Sequence, residues 1–164
     1  MHADISSLLS GRREKIIAAE IRGLRELHAP HYEDIDLNEL QLRAIRVVEF
    51  FLASLTAGPA SFVEYLQSVA QERFREGFFL EEIQSALNIL GEEVWKIVAE
   101  EAPVDNRVEY LGQVSSTIGA AKDQLAQIYT EKFRRAESRA AALQGQLDQL
   151  FVGTVSGPDI DDGV

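Results

Sequence analysis

The sequence predicts an all-α protein: a helical bundle whose long C-terminal helix projects and pairs as a dimer coiled coil. Three observations carry this expectation. Apolar residues recur at three- and four-residue steps along most of the chain. The prolines, with Gly58 and Gly77, fall between these stretches rather than inside them, while Gly112 and Gly119 weaken the last stretch without breaking it. From about residue 105 to 151 there is no proline, and the second half of that stretch carries an apolar row in heptad spacing.

The elements follow in order. Leu9, Ile16, Ile17, Ile21 or Glu20, Leu24 and Leu27 define a first helix over about 4–28. His28-Ala29-Pro30 ends it, because proline disfavours a helical residue before it. Asp36 with Glu39 three residues on reads as an N-cap with a capping box. Leu40, Ile45, Val48, Phe51, Leu52 and Leu55 give the second helix one face, and Gly58-Pro59 closes it and opens the next. The third carries Phe62, Val63, Leu66, Val69, Ala70 and Phe74, with Gly77 placed to stop it. The fourth starts near Leu80, with Glu81 and Glu82 suited to the positive end of the helix dipole. Its stripe is Ile83, Leu87, Leu90, Val94 and Ile97 or Val98, and Ala102-Pro103 ends it.

Asp105 is the expected cap of the last helix. At a rise of ~1.5 Å per residue that helix would be about 70 Å long, longer than a compact domain of this size. Its second half is therefore expected to project. There Ala126, Tyr129, Phe133, Ala136, Ala140, Leu143, Leu147 and Leu150 step alternately by three and four, and all are apolar or aromatic. Such a seam requires a covering helix, and a symmetric homodimer is the commonest solution. Residues 1–151 thus read as a single helical domain, with 125–151 its projecting heptad segment. Residues 152–164, rich in glycine and acid, read as a linker or disordered acidic tail.

Composition narrows the function classes. With 164 residues and 46% hydrophobic residues, one domain can fold around a core of its own. There is no cysteine, which excludes disulfides, thiolate metal sites and cysteine nucleophiles. The net charge of −11 opposes general binding to nucleic acid or an anionic membrane. Much of it lies in residues 64–109, with eleven acidic against four basic side chains. The N-terminus has neither the basic start nor the apolar stretch of a signal peptide, and no apolar run approaches the ~20 residues of a membrane span. A cytoplasmic protein is expected.

No catalytic kit is legible. His2, His28 and His31 are the only histidines, and the last two flank a proline in a connection, so they read as solvated rather than metal-ligating. A globin-type haem needs a histidine on a mid-chain helix; none lies between 32 and 164, and no cofactor is expected. The pairs Glu81/Glu82, Glu92/Glu93 and Glu100/Glu101 point about 100° apart on a helix and read as solvated surface, not an acid–base pair. No nucleophile elbow and no phosphate loop is present. Arg12-Arg13-x-Lys15 and Arg134-Arg135 read as salt-bridged surface. Six of eight phenylalanines fall between 50 and 79. With Phe51, Phe62, Tyr65, Phe74, Phe78 and Trp95 as its lining, this cluster carries two readings: a filled core, or an apolar pocket admitting a small molecule such as an acyl chain.

The stretch Gln71-Glu72-Arg73-Phe74-Arg75-Glu76-Gly77-Phe78-Phe79-Leu80-Glu81-Glu82-Ile83, followed by Leu87, Leu90 and Trp95, resembles the N-terminal domain of RsbR-type stressosome proteins, the RsbT co-antagonists. Leu8-Leu9-x-x-Arg12-x-Glu14-x-Ile16-Ile17 also fits that family's first helix, and the resemblance covers roughly residues 5–151. It implies a haem-free, globin-like sensor domain that dimerises through its terminal helices and has no catalysis of its own. In that family the last helix leads into a STAS output domain, so a downstream signalling domain or protein is the expected partner. Related haem-free sensors bind small ligands, some of them fatty acids, which the resemblance adds in support of keeping the pocket reading beside the filled core. The expected function is a non-catalytic sensor or regulatory module relaying a signal through a homodimeric helix pair. The alternative is a protein that binds or sequesters an apolar ligand.

Overall fold

The computed structural model describes residues 4–153, and the acidic tail beyond lies outside the described residues. Among these residues there are seven helices and no strand. They are α1 (Ile5–Ser10), α2 (Arg13–Glu26), α3 (Pro30–Glu33), α4 (Leu37–Ala57), α5 (Ala60–Glu76), α6 (Leu80–Glu101) and α7 (Val104–Gly153). The described residues divide into two compact units that part between Tyr129 and Thr130.

In the first unit α2 packs on α6 and α4, α4 on α5, and α1 on α4 and α6. The apolar stripes read from sequence become the core. Ile16, Ile17 and Leu24 of α2 meet Leu40, Ala44, Val48 and Phe51 of α4. Phe62, Leu66 and Ala70 of α5 and Leu87, Leu90, Val94, Ile97 and Val98 of α6 complete it. The first part of α7 adds Tyr110, Val114, Ile118, Ala121, Leu125 and Tyr129, spaced by three and four residues on one face.

Four boundaries differ from the sequence expectation. The helix expected over 4–28 is broken at Gly11-Arg12. The Arg12 amide bonds to the Leu9 carbonyl in a tighter turn, and its guanidinium meets Glu101 at the end of α6, 2.7 Å away. The connection after α2 contains the short α3, with Arg25 donating to the carbonyls of Tyr32, Glu33 and Ile35. Asp36 does cap α4, accepting from the Asn38 amide, but Glu39 forms no capping box. It pairs instead with Arg43 one turn on, at 2.7 Å. Asp105 lies inside the first turn of α7 rather than capping it.

Gly23 marks a close approach of α2 to α6. A Cβ built there would sit 2.5 Å from Ile89 Cγ2, so α2 approaches α6 only because this side chain is absent. In a solvated helix Gly→Ala stabilises by ~1 kcal/mol; overpacking a core contact costs about 1–3 kcal/mol. Gly23→Ala should therefore lower the urea midpoint, and adding Ile89→Ala should recover part of the loss. A double-mutant cycle measures that coupling.

Candidate functional site

The α5–α6 corner is built around Phe78. Gly77 ends α5 with φ +87°, a left-handed conformation that glycine adopts without steric cost. The Phe78 amide reaches back to the Arg73 carbonyl and the Gly77 amide to that of Phe74, the double closure of a Schellman motif. This turns the Phe78 ring inward. His31 stacks on it with ring centres 4.8 Å apart, and Tyr32 meets it edge-on at 5.2 Å. The guanidinium carbons of Arg43 and Arg73 stand 5.6 and 5.5 Å from the ring centre, where the ring's negative face attracts them. The Tyr129 hydroxyl donates to the Phe78 carbonyl at 3.1 Å, tying α7 to the same corner.

Glu82 fastens the corner from the α6 side. It accepts from the Phe79 amide at 2.8 Å, closing the first turn of α6. It also accepts from the His31 amide at 3.1 Å and faces His31 Nδ1 at 2.7 Å. Its burial corrects the reading of Glu81/Glu82 as a wholly solvated pair: only Glu81 is exposed. The surface reading of His31 is corrected likewise, since its ring is partly buried against Phe78 and Glu82. His28 stays exposed beside Glu33, and His2 lies outside the described residues. Among the described residues no cluster of three or more metal-ligating side chains occurs.

Beside this corner lies a cavity of about 40 Å³, lined from five helices. Its polar residues are Glu20, Tyr32, Arg43, Tyr65 and Arg73. Glu20 is 1% exposed, and neither of its carboxyl oxygens has a hydrogen-bond partner among the described residues. Burial without a partner pushes this carboxyl up to about 8, because the charged form loses its hydration. Burial also raises the Tyr65 phenol, to about 12, and holds Tyr32 above the ordinary phenol range.

Of the aromatic residues expected to line one apolar pocket, Phe51, Phe62 and Tyr65 come together, with Phe62 stacked on Tyr65 at 6.3 Å, while the others fall in separate places. Phe51 and Phe62 pack edge to face in the core, and Phe74 meets Tyr129 edge-on. Phe78 is the corner itself. Tyr65 alone of the six lines the 40 Å³ cavity, its ring stacked on Phe50 at 4.3 Å. Trp95 is 48% exposed and lines an outer groove of about 450 Å³ with Val114 and Ile118 of α7. The six do not form one lining, because Trp95 faces away from the α2–α4–α5 side of α6.

The predicted seam divides too. Tyr129 is 1% exposed and belongs to the core, while Ala126 is half-buried. Phe133, Ala136, Ala140, Leu143, Leu147 and Leu150 are exposed. The basic clusters near the N-terminus are paired surface: Arg13 on Glu49 and Lys15 on Glu93. No helix among the described residues is long and apolar enough to cross a membrane. Sequence reasoning missed Glu20 as a site residue, although the signal was present: an acidic residue standing on the apolar stripe of its own helix.

Fold and site together define an all-helical domain in which buried charge is spent on architecture around one corner. The chain belongs to the family described as the RsbT co-antagonist protein rsbRD N-terminal domain, whose family model matches residues 14–147. That family is regulatory in character. No curated protein and no solved structure matches the chain. Arg73, Gly77, Phe78 and Glu82, among the residues that carried the resemblance, take part in building the corner.

Glu20 yields a signed expectation. Its folded value lies above the unfolded one, so the folded state holds the proton more tightly. The stability this proton confers is full below about pH 4.5 and is lost as pH rises through about 8. Glu20→Leu removes that dependence. Urea unfolding at pH 5 and pH 8 should show the wild type losing about 2–4 kcal/mol relative to the variant across that interval.

Proposed function

We propose that this domain is a non-catalytic sensor module of a stressosome-type signalling system, relaying a signal through a homodimeric helix pair. The observation that carries this reading is the row of exposed apolar side chains at Leu143, Leu147 and Leu150, with Ala136 and Ala140 between them and the core. Exposed leucines in heptad spacing on one helix face call for a second helix, and a second copy of this chain supplies an identical one. Family membership supports the regulatory role and a signalling protein as the downstream partner. The helical content is compatible with a globin-like arrangement without haem, acting in the cytoplasm.

In this reading a signal changes packing in the first unit, and α7 carries the change because Tyr129 joins the Phe78 corner directly. Relay requires two arrangements of the helix pair that the signal stabilises unequally. A second reading, binding of an apolar ligand, has one observation in its favour: the groove beside Trp95, Val114 and Ile118 has the volume and apolar lining for it. The cavity beside Glu20, at about 40 Å³, is too small for an acyl chain.

Leu147→Glu tests the relay seam. Burying a charge in place of leucine at a helix-pair interface should weaken self-association by roughly 100-fold or more. Sedimentation equilibrium should then show a dimeric wild type and a monomeric variant of unchanged helicity. A variant as dimeric as the wild type places the interface elsewhere.

A further inference from the structure

The cavity beside Glu20 contains a matched pair of unused hydrogen-bonding groups. Both Glu20 oxygens and Arg43 Nη1 are buried and without a partner among the described residues, and both residues line the same space. The rest of the Arg43 guanidinium is committed: Nε to Glu39 and Nη2 to Glu76. Arg73 is likewise engaged, through Nη1 to Glu76 and Glu72. What remains for an occupant is a carboxyl group from α2 and the two N–H bonds of Arg43 Nη1 from α4. Leu24, Val47, Leu66 and Leu87 supply an aliphatic wall.

A native fold seldom leaves such groups unpaired, since each costs about 1–3 kcal/mol when buried alone. An occupant therefore has to meet three conditions. It must accept from Arg43. It must also pair with a carboxyl that burial keeps protonated, which means accepting the Glu20 O–H. And it must fit about 40 Å³, room for a few heavy atoms. Two acceptor oxygens on one planar carbon, with at most a short alkyl end toward the leucines, satisfy all three.

We propose that this cavity is a binding site for a monocarboxylate of one to three carbons, held between the Glu20 carboxyl and Arg43 Nη1. One proton is shared by the two carboxyl groups, and the remaining negative charge lies on the Arg43 side. The other titratable groups facing the space are Tyr32 of α3 and Tyr65 and Arg73 of α5, while α6 contributes only Ile83, Ala86 and Leu87. Because buried Glu20 already carries the shared proton, uptake of the anion needs no further proton and adds one negative charge, which faces the Arg43 guanidinium. The site goes beyond the relay reading, because occupancy is a property of one folded chain and does not require self-association.

Titration of the full chain at pH 6 with 13C-labelled formate, acetate and propionate, followed by NMR and calorimetry against chloride at equal ionic strength, tests this. Saturable binding of one molecule per chain is expected, with a Kd of about 0.1–10 mM, the range open to so few heavy atoms. A melting temperature raised by roughly 5 °C at a hundredfold excess over Kd should accompany it. Glu20→Leu should abolish binding, and Arg43→Gln should weaken it at least tenfold, with helicity retained. Either variant suffices if the other fails to fold. No saturable binding above the chloride control, or variants that bind like the wild type, would overturn the proposal and leave water as the occupant. Loss of dimerisation in Leu147→Glu with binding intact would bear on the relay alone.

Discussion

The burial of Phe78 is the constraint on which the first unit depends. One ring at a turn between two helices receives His31 and Tyr32 from α3, Arg43 from α4 and Arg73 from α5, while its own carbonyl takes the Tyr129 hydroxyl of α7. The ring can point inward only because Gly77 turns left-handed before it and Glu82 closes the helix after it. A β-branched residue at Gly77 would break the Schellman closure and withdraw the ring from all four of its partners together. The cations are retained beside an apolar ring because each is also paired: Arg43 with Glu39 and Glu76, Arg73 with Glu72 and Glu76. Two buried guanidinium groups without those carboxylates would be destabilising.

Glu82 and Glu20 show how differently the same side chain is treated inside one fold. Glu82 is buried at a helix N-terminus, where two backbone amides and a histidine replace its lost water. Glu20 is buried in mid-helix, where its own backbone offers no free donor, and no side chain of the described chain replaces the water it gave up. The helix start provides unsatisfied N–H groups by construction, and the helix interior provides none. The first carboxylate is therefore architectural. The second is a cost that a simple apolar side chain would remove, which is why its retention points to an occupant rather than to stability.

Much of the fold was legible because helices write their faces at a fixed period. The stripes over residues 40–55, 62–74 and 83–98, and the boundaries at Gly58-Pro59, Gly77 and Ala102-Pro103, reappear in the structure with shifts of a residue or two. What periodicity could not carry was any choice made by a distant partner. The break at Gly11-Arg12 sits beside an ion pair with Glu101, 89 positions away. The missing capping box at Asp36 reflects Glu39 turning to Arg43 instead. Trp95 sits at a helical position that reads as core, yet it faces a groove. The burial of His31 and Glu82 depends on each other, and neither is visible from its own neighbours in sequence. Of the cavity, Tyr65 was in the expected lining, while Glu20 entered only as an alternative position in a stripe.

The division of the apolar row on α7 has a physical basis in spacing. Core contacts along this helix run Tyr110, Val114, Ile118, Ala121, Leu125 and Tyr129, mostly four apart, and from Tyr129 the row continues as Phe133, Ala136, Ala140, Leu143, Leu147 and Leu150. A stripe stepped mostly by four drifts one way around a helix, and one stepped alternately by three and four drifts the other. The phase changes at Tyr129, whose ring meets Phe74 and whose hydroxyl meets the Phe78 carbonyl. Tyr129, the last residue of the core stripe, is thus also a member of the heptad row that starts at Ala126, and it is bonded to the Phe78 corner.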